Sequence, residues 1–484
     1  MRRLSLALLL LPAACASGPR YVEPARPPAM ARPYANAPLP AAIAAGTLER
    51  WWTQLGDPVL DALVVDTLAR NLDLDVARAR LRRARAQRGV TRAAGLPTLD
   101  GTGAAHRQES GDGSAELNLP NGQDIGVSDI PGGVFELYQA SFDAAWEVDL
   151  FGANRARVRA EDARIAAAVF DIADVRTSIA AEVARDYLVV REVQVRLAVL
   201  RRNLDIARRT QRLAHEQERA GLVTEADTAR TDAQVLAIET QVPQLELQEV
   251  QAAQRLAVLA AREPAALRET LQAVGPIPAA GPVATGLPAE LLLRRPDIRS
   301  AERQLAAATH AQAGAVRDLY PSLSLNASYG GLRTGGLVEF ASTLFTLGAN
   351  LTAPLFDGGR RRAQVEVQRA QVDEALATYR RTVLTAFREV EDALAASVRN
   401  RERSTLAERT VERRRRAQSV LDEQYRAGLV GLLDLLSAER DLAEAEALAA
   451  NARAQVTVDW IGLQKALGGG WQAMPAAPGK ENGT

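Results

Sequence analysis

From Ala153 to Ala220 the chain carries neither Gly nor Pro, and Gly152 and Gly221 bracket the stretch. Its apolar row runs Ile165, Val169, Ile172, Val175, Ile179, Val183, Tyr187, Val190, Val193, Leu197, Leu200 and Leu204, in steps of three and four. Such a row lies on one narrow stripe of a helix, and its mean spacing of about 3.5 residues is that of a coiled coil. Arg, Glu, Asp, Gln and Ala fill most other positions, as suits a helix with a wet face. At 1.5 Å per residue the stretch predicts a rod roughly 100 Å long. Arg360 to Ala427 repeats it: equally long, free of Gly and Pro, bracketed by Gly359 and Gly428, and 207 residues further on. At the far ends Glu216-Gln217-Glu218-Arg219-Ala220-Gly221-Leu222-Val223 faces Glu423-Gln424-Tyr425-Arg426-Ala427-Gly428-Leu429-Val430, and Asp227 faces Asp434. The chain is an internal duplication.

A different period precedes each rod. Tyr138, Ala140, Phe142, Ala144 and Trp146 alternate with polar residues, as do Leu323, Leu325, Ala327 and Tyr329, and Phe345, Leu347, Ala349 and Leu351. Thr98 to Arg107 alternates more weakly. These predict two hairpins, residues 97–147 and 321–355, with loops at about Gln108–Gly133 and Gly330–Ala341. The alternation fits outer-membrane strands and equally a soluble two-sheet module. Four strands cannot close a barrel, for which about eight is the minimum, and an open sheet in lipid leaves backbone groups unpaired. In a membrane, several chains must therefore share one barrel.

The remaining stretches complete two repeats. The first, residues 59–263, opens with a helix from about Val59 to Ala94. It closes with a return helix over 222–262, kinked by Pro243. Residues 264–296 form a proline-punctuated linker. The second repeat, 297–467, opens with a helix from Asp297 to Asp318 and closes with a return helix over 429–467. Residues 468–484 are a tail. Pro97 aligns with Pro321, Asp73 with Asp297, Ala77 with Ala301 and Leu81 with Leu305, all at an offset of 224. At the other end, residues 1–14 read as an export signal: Arg2 and Arg3, then an apolar run too short to span a bilayer. Cys15, the single cysteine, follows Pro12-Ala13-Ala14 and heads an extended arm over residues 15–58. It is either a lone buried thiol or the lipidated first residue of a mature lipoprotein.

Acids and bases balance at 59 each, and nearly every base is Arg. Without a net basic field, nucleic-acid binding has no support. No catalytic constellation emerges. His215-Glu216-Gln217-Glu218-Arg219 has Arg where a zinc helix needs its second His, and no phosphate-binding loop or nucleophile elbow occurs. The sequence calls for no enzyme activity, metal or cofactor.

Five runs then occur in order: Trp51-Trp52 with Gly56-Asp57-Pro58; Trp146-Glu147-Val148-Asp149-Leu150-Phe151-Gly152; Gly286 to Leu292 with Arg294-Arg295-Pro296-Asp297-Ile298; Pro354-Leu355-Phe356-Asp357-Gly358-Gly359; and Lys465 to Trp471. Together they resemble the TolC-like outer-membrane efflux factor family, and within it the drug-efflux lipoproteins. The resemblance implies a mostly α protein with a membrane β part. It implies a homotrimer whose strands form one twelve-stranded barrel in the outer membrane, continued by a twelve-column helical barrel in the periplasm. It also implies a passive exit duct joined by a periplasmic adaptor to an inner-membrane RND-type pump, with Cys15 as the lipid anchor. A periplasmic adaptor and a coiled-coil scaffold are the alternatives. An adaptor would interrupt β-rich domains with one hairpin, and a scaffold would need neither strands nor signal.

The rod ends carry the expected sites. Arg219, Gly221, Leu222 and Val223, with Arg426, Gly428, Leu429 and Val430, are either plain helix stops or a repeated surface for the adaptor. By resemblance Leu433, Asp434, Ser437 and Arg440 line a constriction; the family often has an acid at the place of Ser437. Asp227 and Tyr425 match positions that hydrogen-bond to each other and hold the duct closed. Otherwise Asp227 serves the start of its helix and Tyr425 packs.

Overall fold

The computed structural model describes residues 18–24, 34–35, 48–110, 113–118, 124–130, 133–281, 294–336 and 340–471. The export signal, Cys15 and the Gly286–Leu292 run lie outside them. After a 3₁₀ turn at Trp51–Leu55 come helices α1 (Pro58–Arg70) and α2 (Leu72–Ala93). Strands β1 (Thr98–Ser110), β2 (Gly113–Asn118), β3 (Asp124–Ile130) and β4 (Gly133–Val148) follow. Then come α3 (Ala153–Arg219), α4 (Glu225–Glu239), α5 (Gln241–Leu259) and α6 (Arg268–Gln272). The second half holds α7 (Pro296–Arg317), β5 (Ser322–Gly336), β6 (Phe340–Thr352), α8 (Arg360–Arg426) and α9 (Leu432–Ala466). Among the described residues no helix is long and apolar enough to cross a membrane.

Two compact units divide the chain. One takes residues 1–23, 82–166 and 303–377, the other 24–81, 167–302 and 378–484. The first holds a four-stranded antiparallel sheet in the order β1-β4-β5-β6, with β2 and β3 as a separate ribbon. The second holds the main core. There Trp51 meets the rings of Trp52 and Trp460 edge-on, each at 5.8 Å between centroids, and Tyr187 of α3 is fully buried beside them. A Cβ on Gly469 would come within 2.8 Å of the Trp51 ring, so the glycine run before Trp471 lets the chain pass this aromatic cluster.

Local chemistry breaks two of the expected helices. Asn71 separates α1 from α2: its backbone is extended (ψ 133°), and its side-chain oxygen accepts from the N–H groups of Asp73 and Leu74. An Asn that caps a new helix start stabilises the interruption by about 1 kcal/mol. The return helix of the first repeat is two helices that meet at Thr240. Pro243 lies in the first turn of α5, where its missing N–H has no helical partner to lose. The expected loops are also shorter, because β1 runs on to Ser110 and β5 to Gly336.

Candidate functional site

Both long helices end in the same backbone device. After α3, Gly221 N–H donates to Glu218 O and Leu222 N–H to Gln217 O. After α8, Gly428 N–H donates to Tyr425 O and Leu429 N–H to Gln424 O. This Schellman turn needs a left-handed residue, and Gly221 (φ 72°) and Gly428 (φ 73°) supply it. Neither glycine has an atom within 4 Å of where a Cβ would stand, so only backbone strain excludes a side chain there. Leu222 and Leu429 project into solvent, 74% and 75% exposed, with Arg219 and Arg426 exposed beside them and Val223 and Val430 half-buried. The two turns lie side by side, since Tyr425 Oη donates to Gln217 Oε1 at 2.8 Å.

That bond corrects one expectation, because Tyr425 does not bond to Asp227. Asp227 stands at the third position of α4, where its carboxylate accepts from the Thr224 N–H and hydroxyl at 3.1 and 2.8 Å and from Arg230. These hydrogen bonds, Thr224 first, hold the carboxyl below its ordinary range. A partner three residues away wins over one on another helix because it requires no further ordering of the chain. In the second half Gly431 replaces Thr224, and Asp434 receives only the Gly431 N–H, at 3.3 Å. Leu433, Asp434, Ser437 and Arg440 share the uncovered side of α9, while Leu432, Leu435 and Leu442 are buried on the other. The four residues expected at a constriction therefore form one exposed stripe at helical spacing.

Ion pairs tie the helices together, and the duplication relates them. Arg208 to Glu239, at 2.7 Å, recurs 207 residues later as Arg415 to Glu446, at 2.8 Å. Glu446 is buried and also accepts from Arg202, so one carboxylate of α9 joins α3 to α8. Arg201 to Glu246 recurs with its charges exchanged, as Glu408 to Arg453. A third pair changes character. Asp232 accepts from Gln211 and lies 2.9 Å from His215 Nε2, but the corresponding positions are Glu439 and Asp422. Glu439 lines a cavity of about 270 Å³ with Leu200, Ile238, Arg440 and others. Burial, aided by the Asp422 charge, pushes its carboxyl up to about 7, although Thr210 donates to it at 3.1 Å. Pattern reading missed Gln217, Glu439 and Glu446, and only shifting the first half onto the second would have flagged them.

The sheet carries the other part of the site. Register sets Phe142 beside Tyr329 and Tyr329 beside Phe345, with Leu99, Ala144, Ala327 and Leu347 in the next row. This face is apolar and open: Phe142, Tyr329, Phe345 and Leu347 are 57–72% exposed. The reverse face is polar, with Thr102, Ser141 and Asp143 hydrogen-bonded across strands. Elsewhere Arg295, from the most specific sequence run, is a buried hub. It donates to Asp297, to Glu389 of α8 and to Ala466 O of α9. Among the described residues no three His, Cys, Asp or Glu side chains converge as metal ligands.

Comparison with known proteins agrees with this geometry. The profile of a family described as outer membrane efflux protein matches residues 63–262 and 287–469. The pyoverdine export outer membrane protein OpmQ of Pseudomonas aeruginosa is 33% identical over 435 residues, 89% of each chain. The toluene efflux pump outer membrane protein TtgI of Pseudomonas putida is 30% identical over 430 residues, 86% of each chain. The solved outer-membrane channel OprN, 32% identical, superposes with a TM-score of 0.80 over 94% of this chain and 100% of its own.

Proposed function

This chain belongs to the outer membrane efflux protein family, and we propose that it is the passive exit duct of a tripartite efflux pump. The observation that carries the proposal is the sheet. It has one apolar exposed face, one polar hydrogen-bonded face and two unpaired edges, β1 and β6. Lipid tolerates no open edge, so three chains close one barrel of twelve strands, apolar face outward. The paired long helices of three chains make the helical barrel in the periplasm, and Cys15 carries a lipid that anchors each chain to the outer membrane. The Gly221 and Gly428 turns, with their exposed leucines, meet the periplasmic adaptor, which links the duct to an RND-type pump. The stripe of Leu433, Asp434, Ser437 and Arg440 converges on the axis and closes the duct at rest. Adaptor binding opens it by favouring the open form.

Small molecules such as drugs pass through. Relatives named for pyoverdine and for toluene handle very unlike molecules, which supports a duct that leaves selection to the pump. Cell fractionation tests the proposal. The full chain should sit in the outer membrane as a trimer that dissociates on heating. A monomer in the periplasm or inner membrane would contradict it.

A further inference from the structure

The duplication gives more than a count of strands, because it relates hydrogen-bonded pairs to one another. Helix α2 and strand β1 begin at Leu72 and Thr98, and α7 and β5 begin at Pro296 and Ser322, an offset of 224. Helix α3 and helix α8 begin and end 207 residues apart. Applied together, the two offsets convert one hairpin into the other. Thr98 pairs with Ala145 in the first, and Ser322, 224 further on, pairs with Thr352, 207 further on. Leu99 with Ala144 becomes Leu323 with Leu351 in the same way.

The junction between the halves, β4 against β5, can be carried forward too. Val148 pairs with Leu323 there, and Phe142 with Tyr329. Moving the β4 member forward by 207 and the β5 member back by 224 sends Val148 to Leu355 and Leu323 to Leu99. The same move sends Phe142 to Ala349 and Tyr329 to Ala105. We propose that these are the contacts between copies: β6 of one chain pairs with β1 of the next, Ala349 opposite Ala105, Leu351 opposite Gly103 and Asn350 opposite Ala104. Leu355 closes the seam against Leu99. The inference deepens the trimeric reading above and rests on it.

Two independent observations agree. The register keeps Leu347, Ala349 and Leu351 on the same face as Leu99 and Ala105, whereas a one-residue slip would turn an apolar face onto a polar one. Exposure also marks the missing partners. Leu355 is 95% exposed and Leu99 70%, while their counterparts Val148 and Leu323, paired within the chain, are half-buried.

Cysteine pairs in the full chain test the register. Adjacent pairs of an antiparallel ladder alternate between close and wide, so two are made: Ala349→Cys with Ala105→Cys, and Asn350→Cys with Ala104→Cys. On mild oxidation at least one should link chains into dimers and trimers on denaturing gels, reversed by reductant. Ala349→Cys combined with Gly103→Cys or Arg107→Cys should remain monomeric. Leu355→Asp should lower the temperature at which the trimer dissociates, and adding Leu99→Arg should restore it. If the slipped pairs link, or both designed pairs stay silent while native gels show a trimer, the register is wrong and the trimer stands. If native gels show no oligomer, the seam and the trimeric duct fall together.

Discussion

The two turns that end the long helices share a backbone and differ in electrostatics. In the first half, His215 faces Asp232, and hydrogen bonds from Gln211 and His215 hold that carboxyl below its ordinary range. In the second half the same positions hold Asp422 and Glu439, and Glu439 is half-buried with its carboxyl raised to about 7. Thr224 gives the first turn a hydroxyl bond to Asp227, whereas Gly431 gives the second none to Asp434. The two halves share what the backbone needs, but where the first has a hydrogen-bonded imidazole–carboxylate contact the second has two acids. The carboxyl beside one turn is held low, and the one beside the other is raised to about 7. The second turn also bears Ser437 and Arg440 on either side of Glu439.

The largest effect should come from removing what the turns share. Gly221→Val or Gly428→Val forces a β-branched side chain into left-handed backbone, at a cost of at least roughly 1–2 kcal/mol. Export should be abolished while trimers persist in the membrane. Normal export with both changed would show that the turns do not dock the adaptor.

A smaller effect separates the turns by pH. Glu439 has its carboxyl raised from 4.5 to about 7, so the folded state binds the extra proton. The stability this contributes is present below about pH 4.5 and is lost as pH rises through about 7, on the order of 2–3 kcal/mol. Hydrogen exchange between about pH 5 and 8 should therefore accelerate with pH at the α8–α9 turn beyond its intrinsic trend. At the α3–α4 turn, where Asp232 is shifted downward, it should not. Asp422→His should make the second turn behave like the first, and Glu439→Gln should flatten it. An unchanged pH response in Glu439→Gln would remove this carboxyl from the account.

The exchanged pair sets a third test. Glu408→Arg or Arg453→Glu alone places like charges together on a half-exposed surface and should cost about 0.5–1 kcal/mol in thermal unfolding. The double exchange, which recreates the Arg201–Glu246 arrangement, should recover most of it. Smallest of all, Gly431→Thr should stiffen the second turn by a few tenths of a kcal/mol and reduce resting conductance slightly.

These contrasts also show what could be read from residues alone. The long helices were legible because nothing interrupts their stripe until Gly221 and Gly428. The strands were legible because apolar and polar residues alternate. The break at Asn71 was not, since the apolar spacing continues across it and only the side-chain cap ends the helix. Resemblance points Tyr425 toward Asp227, but the carboxylate is held by its own Thr224 and the phenol turns to Gln217. Nothing in the sequence around Glu446 sets it apart from the other acids of α9. It is buried where it accepts from Arg415, on the preceding helix, and from Arg202, 244 residues away in the first repeat.

Single-channel recording in planar lipid bilayers tests the duct most directly. With the proposed gate closed, the purified chain should insert and give small, discrete conductance steps. Asp227→Ala with Tyr425→Phe removes the carboxylate that caps the start of α4 and the bond from Tyr425 to Gln217. The steps should then become several times larger, with the trimer intact. A trimer that inserts but stays silent in both forms would contradict the account.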